Sequence, residues 1–180
     1  INTDLTVTDA TSIFIHNSLT LNGTIKFVSP SSNGNRLYFR GTGMTVMGVG
    51  QIRFETLASA GLYNECIVNS VPQPLVFGAG IDLRLDASTS IIAGTGATTR
   101  LDGHMLMVGN TVSDIRIGST GSKFINNGSI EITNNAKVII YGFQNNTGAT
   151  FDALNSSVAF YKGSLSGTDV LINQGAFDFE

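Results

Sequence analysis

Polar and apolar residues alternate along this chain in short pieces, and each piece stops at Asn or Gly. The stretch "FINNGSIEITNNAKVIIYG", Phe124 to Gly142, shows the rhythm. An apolar piece is followed by Asn-Asn-Gly, alternating isoleucines, Asn-Asn and a second apolar piece. A period of two sends successive side chains to opposite faces of an extended backbone, so each piece is predicted to be a strand. β-branched and aromatic residues sit inside the pieces, and helical periodicity is nearly absent.

The pieces also recur. Gly-x-apolar-x-apolar appears as "GTIKF" at Gly23, "GQIRF" at Gly50, "GHMLM" at Gly103, "GSIEI" at Gly128 and "GAFDF" at Gly175, with looser copies at Gly80 and Gly148. These align Ile25, Ile52, Ile81, Met105, Ile130, Phe151 and Phe177. A second column runs through Ile13, Leu37, Ile91, Ile115, Val138 and Val158, with a weak copy near Ile67. A third precedes each Gly, as in "LTLNG", "LVFGAG", "TRLDG", "KFINNG" and "VLINQG". Three columns repeating at roughly 20–30 residues predict an all-β parallel β-helix (β-solenoid), with about three short strands per coil and roughly seven coils. The ordinary alternative is a β-sandwich, which has no reason to repeat one motif at near-constant spacing. Gly and Asn then belong at the corners: both accept left-handed backbone, and Asn can stack into amide ladders.

Residues 1–180 read as one solenoid domain with a lateral insertion at about 55–75. That stretch, "ETLASAGLYNECIVNSVPQP", is the least repetitive, and Pro72 and Pro74 mark a turn or edge because proline lacks a ladder donor. Tyr63 and Cys66 are its candidate interaction residues. The final "GAFDFE" is an intact motif copy without a cap, which reads as a fragment of a longer protein or a subunit whose end pairs with another chain.

Composition narrows the setting. Charged residues make up 13% of the 180 residues, against about 25% in an average globular domain. The surface must therefore be built from Ser, Thr, Asn, Gln and Gly, which suits a secreted, cell-surface or extracellular-particle protein. A net charge of −3 without basic runs argues against a nucleic-acid partner. No apolar run approaches the roughly 18 residues of a membrane-spanning helix, so no membrane insertion is expected. The expected partners are the rest of a longer chain or identical subunits, through the solenoid ends, and surface glycans.

Candidate chemistry is sparse. Outward positions after each Gly are Lys26, Arg53, Asp82, Leu106, Glu131, Asp152 and Asp178, basic at one end and acidic at the other. Such polarity orients head-to-tail stacking or is a solvated face. Tyr141 and Tyr161 align on successive coils, with Arg116 and Tyr38 on the same side. Rings repeating at the strand spacing of about 4.8 Å form either a strip for sugar rings or a ladder that stiffens the sheet. Cys66 reads as a small buried apolar residue, and neither His16 nor His104 stands in a motif relation to it. Asp82, Asp86 and Asp102 beside His104 make no recognisable catalytic carboxylate pair. No Cys/His metal spacing and no phosphate loop occurs. No catalytic, metal or cofactor residue is therefore assigned. Sequons at Asn22, Asn127, Asn145 and Asn155 matter only in a eukaryotic secretory host.

The copies "LTLNGTIKF", "FINNGSIEI" and "VLINQGAFDF" resemble the degenerate strand repeats of large secreted bacterial proteins. These are the filamentous-haemagglutinin-like adhesins, autotransporter passengers and pectin-lyase-like surface proteins; phage tail proteins share the texture. The resemblance implies adhesion or scaffolding. The strong repeat with scarce charges and no acid/base constellation leads to a non-catalytic structural or adhesive module, and a subunit that self-assembles end to end is a further reading. A carbohydrate-binding or polysaccharide-processing β-helix, such as a tail spike or surface lyase, is the alternative. "NTD" at Asn2, "GH" at Gly103 and "RIG" at Arg116 partly match polygalacturonase motifs. The paired-Asp element between them is missing, so no catalytic role carries over.

Overall fold

The computed structural model describes residues 1–179 apart from 9–10, 29–33, 56–58, 87, 110–113, 155–156, 163–165, 168–169 and 172–175, and side chains as far as Ser157. The chain winds through three parallel sheets, visiting each once per turn. The first sheet stacks Leu5–Thr8, Thr24–Val28, Gln51–Phe54, Asp82–Asp86, His104–Val108, Ser129–Thr133, Thr150–Ala153 and Val170–Leu171. The second stacks Ser12–His16, Arg36–Arg40, Ala60–Glu65, Thr89–Ala93, Asp114–Ile117, Lys137–Tyr141, Val158–Lys162 and Ala176–Phe179. The third stacks Leu19–Leu21, Met44–Gly48, Leu75–Phe77, Thr98–Leu101, Lys123–Asn126, Phe143–Asn145 and Ser166–Gly167. The parallel β-solenoid with three strands per coil is thus present.

The coil count needs correction. About 5 turns, Thr24 to Asn145, have all three strands paired on both sides, rather than seven. The sequence motif also marks the end turns, where a strand has a neighbour on one side and the stack is not closed.

Inward residues form one continuous core. Ile25, Ile52, Leu83, Met105 and Ile130 follow one another in register, and all are buried. Burying each such side chain stabilises by about 1.5–3 kcal/mol. Phe27 stacks on Phe54 with centroids 4.6 Å apart.

Register differs from the sequence columns in six places. Val170–Leu171 of the third-column copy "VLINQG" lies in the first sheet, opposite Phe151 and Asp152. Leu62 rather than Ile67 fills the second column. Ile52 pairs with Leu83 rather than Ile81, and Ile91 with Ile117 rather than Ile115. Val138 pairs with Ala159, not Val158. Phe177 lies opposite Ala159 in the second sheet, outside the first-sheet column that contains Ile25.

Left-handed backbone at the corners falls on both residue types, on Asn17, Asn69, Asn134 and Asn135 and on glycines such as Gly96, Gly121 and Gly148. Two motif glycines answer a different need. A Cβ on Gly103 or Gly128 would collide with the backbone carbonyl of the coil beneath, Ile81 O and Gly103 O respectively. Backbone contact with the coil below, rather than positive φ, keeps those two positions glycine.

Within 55–75, Ala60–Glu65 is a full member of the second sheet, with Leu37, Leu62 and Ile91 in one column. The departure is narrower: an antiparallel hairpin of Ile67–Val68 and Val71–Pro72. Asn69 and Ser70 supply the two positive-φ turn residues that favour a two-residue hairpin.

Candidate functional site

Three outward surfaces gather the chemistry. On the second sheet, Phe14, Tyr38 and Tyr63 share one column on successive strands. Their rings stack at 4.8 and 4.6 Å between centroids, with planes 12° and 21° apart. Tyr63 has room because its neighbour is glycine: a Cβ on Gly61 would lie 2.6 Å from the Tyr63 ring. The Arg40 guanidinium carbon sits 4.4 Å from the Phe14 centroid, and its Nε donates to Glu65 Oε2 at 2.7 Å. A side-chain hydrogen bond to Tyr38 holds the Arg36 pKa above its ordinary value.

This geometry bears on the sugar strip. Tyr38 has Phe14 on one face and Tyr63 on the other, so its π-faces are occupied by neighbours and the strip turns ring edges outward. Stacked pairs contribute about 0.5–1.5 kcal/mol each beyond burial, which stiffens the sheet.

The sequence-derived residues fall in several places. Tyr38 and Tyr63 meet, and Phe14 joins them although no sequence column singled it out. Tyr141 continues the same register beyond Ile92 and Gly118, too far along to stack with Tyr63. Arg116 lies in the adjacent column, opposite Ser90. Tyr161 is not level with Tyr141: its backbone pairs with Ile140, and Tyr141 pairs with Lys162. The Tyr161 side chain lies outside the described residues, as does that of Asp178.

Tyr63 and Cys66 do not form one loop surface. Tyr63 faces outward, whereas Cys66 is 1% exposed and its thiol contacts the Phe39 carbonyl at 3.6 Å. Burial pushes that thiol up to about 11, so it stays protonated and poorly nucleophilic at neutral pH. What the hairpin does expose is apolar, Ile67 at 57% and Val71 at 58%.

The second surface is the outer face of the first sheet. Its central column reads Lys26, Arg53, Arg84, Leu106, Glu131, Asp152. Arg84 occupies the place that the sequence alignment gave to Asp82. Glu55 takes both Lys26 (2.6 Å) and Arg53 (2.5 Å), and Arg84 reaches Asp86 at 3.0 Å. The bond from Lys26 holds the Glu55 carboxyl below its usual range. Burial raises Asp86, partly offset by Arg84. Asp82 lies beside His104, 3.7 Å from Nδ1, at a shallow depression of about 220 Å³ lined by Gln51, Arg53, Arg84 and Leu106.

The third surface is an amide ladder at the corner between the third and first sheets. Asn127 Nδ2 donates to Asp102 Oδ1 at 2.7 Å, and Asn146 donates to Asn127. Beneath it Asn126 and Asn145 are fully buried. Among the described residues no group of three His, Cys, Asp or Glu side chains could hold a metal ion, and no helix is long and apolar enough to cross a membrane. Comparison with family models, curated proteins and solved structures returns no match for this chain.

Proposed function

We propose that this chain is a structural or adhesive β-solenoid module, without chemistry of its own, belonging to a secreted or cell-surface protein or an extracellular particle. It joins further coils, in a longer chain or an identical subunit, through its ends. The observation that carries the reading is the open ladder at the strand Ser12–His16. That strand has a partner on one side, and its inward Ile13 and Ile15 are half-covered, whereas Leu37 and Phe39 one turn on are fully buried. Asn17 N–H donates to the Arg40 carbonyl at 3.2 Å and Arg36 N–H to the Thr11 carbonyl at 3.0 Å. Alternation along the strand then aims the N–H groups of Ser12, Phe14 and His16 at the unpaired edge.

The test combines negative-stain imaging and sedimentation of the purified chain with the variant Ser12→Pro, which removes one edge donor while leaving the inner ladder intact. End-to-end particles that shorten in the variant support the reading. In parallel, neutral and acidic polysaccharides are incubated with the protein, and release of new chain ends would overturn the non-catalytic part of it.

One observation favours a second reading, a carbohydrate-binding or polysaccharide-processing β-helix. The depression beside Asp82 and His104 presents two arginines and a carboxylate on the flat face of the first sheet. The same polysaccharide incubation tests it.

A further inference from the structure

We propose that the outer face of the first sheet is self-complementary and pairs two copies of this chain face to face, with their solenoid axes antiparallel. The central column changes sign along the stack, from Lys26, Arg53 and Arg84 through Leu106 to Glu131 and Asp152. A two-fold axis along the strand His104–Val108 reverses the order of the strands and keeps each column facing itself. Arg84, one strand before Leu106, then meets the partner's Glu131, one strand after it. Arg53, two strands before, meets the partner's Asp152. Both pairs occur twice by symmetry, and Leu106 packs on its own copy.

The charges are available for this. Among the described residues neither Glu131 nor Asp152 has an ion-pair partner. Lys26 and Arg53 share the one carboxylate of Glu55, so the central column is basic at that end, while Asp82 and Asp86 flank it on the same strand as Arg84. Arg53 and Arg84 keep donors beyond those bonded to Glu55 and Asp86, because a guanidinium carries five N–H groups. Their side chains are 33% exposed, so they can reach outward. A parallel arrangement would set like against like and is disfavoured by the same charges.

The face spans roughly 30 Å by 15 Å at strand and residue spacing, about half of the ~800 Å² that each partner contributes to a standard interface. The dimer is therefore weak, and its charge pairs are screened as the Debye length falls from about 30 Å at 0.01 M to about 3 Å at 1 M salt.

Sedimentation velocity over a concentration series at low and high salt measures it. Two variants make the test specific: Glu131→Lys with Asp152→Lys leaves the central column with basic charges only, and Arg53→Glu with Arg84→Glu leaves Lys26 as its one basic residue. With Ser12→Pro in every chain to remove pairing at the coil ends, the parent is expected to dimerise at low salt and lose the dimer at high salt. In that background each charge variant alone is expected to be monomeric, and an equimolar mixture of the two is expected to recover a one-to-one dimer. Circular dichroism checks that each folds, and Glu131→Lys alone serves if the double substitution does not. A Ser12→Pro parent that remains monomeric at low salt overturns the proposal. So does a mixture that fails to pair. Association that the wild type shows and the Ser12→Pro parent lacks belongs to the coil ends and also overturns it, while leaving the proposed function standing.

Discussion

Asn126 Nδ2 donates to Asn145 Oδ1 at 2.7 Å inside the core, one coil directly over the next. The same amide group also donates to the Thr150 carbonyl at 2.9 Å, and Asn126 Oδ1 accepts the Gly128 N–H at 3.1 Å. One side chain thus satisfies the backbone at the bend where the third sheet passes into the first. Asn126→Leu would fill a similar volume but strand these buried polar groups. Each costs about 1–3 kcal/mol when left unpaired, so a loss of about 3 kcal/mol is expected in urea unfolding. Because Leu101 occupies the preceding position in this column, an unchanged midpoint would show that the corner accepts an apolar residue there too.

Gly128 follows two residues later and fails for a different reason. Its missing side chain faces the Gly103 carbonyl of the coil beneath, and the obstacle is backbone, which cannot rotate away. Gly128→Ala is expected to cost about 3 kcal/mol, at the upper end of overpacking effects, or to prevent folding. Chemical denaturation of the purified variant measures this; a loss below about 1 kcal/mol, ordinary for a surface change, would mean the coils can separate locally.

These two residues show how much of the fold could be read before the coordinates. Alternation and motif recurrence sufficed for parallel coils, because both follow from inward side chains repeating at period two. Register was harder. Ile81 and Leu83 are both inward and buried, so a slip of two positions leaves the hydrophobic pattern unchanged. The same degeneracy hid Arg84 behind Asp82 and obscured the charge column. Ala60–Glu65 carries a weak strand signal because its inward residues are Ala60, Leu62 and Asn64, only one of them large and apolar. The sequence pattern alone therefore places Tyr63 in a loop, whereas the strand pairs it with Tyr38 and stacks the two rings. The Asn126–Asn145 ladder was legible in type, from the Asn-rich corners, but not in its buried position.

The aromatic strip offers a direct test of what its rings do. Gly61→Ala places a methyl group in the space over which the Tyr63 ring lies, so the ring must swing out of the stack. Near-ultraviolet circular dichroism should lose its tyrosine signal, with about 0.5–1.5 kcal/mol of stability. Tyr38→Ala should cost more, because both of its faces are covered. If a glycan array shows binding that Tyr38→Ala and Tyr63→Ala abolish while stability falls by less than this, the strip is a ligand platform rather than a stiffening ladder.

Glu55 and Asp86, on adjacent strands of the charged face, should titrate in an unusual relation. Glu55 is lowered from 4.5, first by its bond to Lys26, while Asp86 is raised from 3.8 by burial. The ordinary gap between glutamate and aspartate therefore narrows or inverts, which carboxyl-carbon NMR of the folded protein will read. The signs for stability are opposite. Glu55 binds its proton less readily folded than unfolded, so its contribution is present above the unfolded value and is lost as pH falls through the folded one. Asp86 binds its proton more readily folded, so its contribution is present below the unfolded value and is lost as pH rises through the folded one. Glu55→Gln should flatten the acid limb of a stability-versus-pH curve, and Asp86→Asn should steepen it. Curves that shift in the same direction in both variants would contradict the assignment of these two shifts.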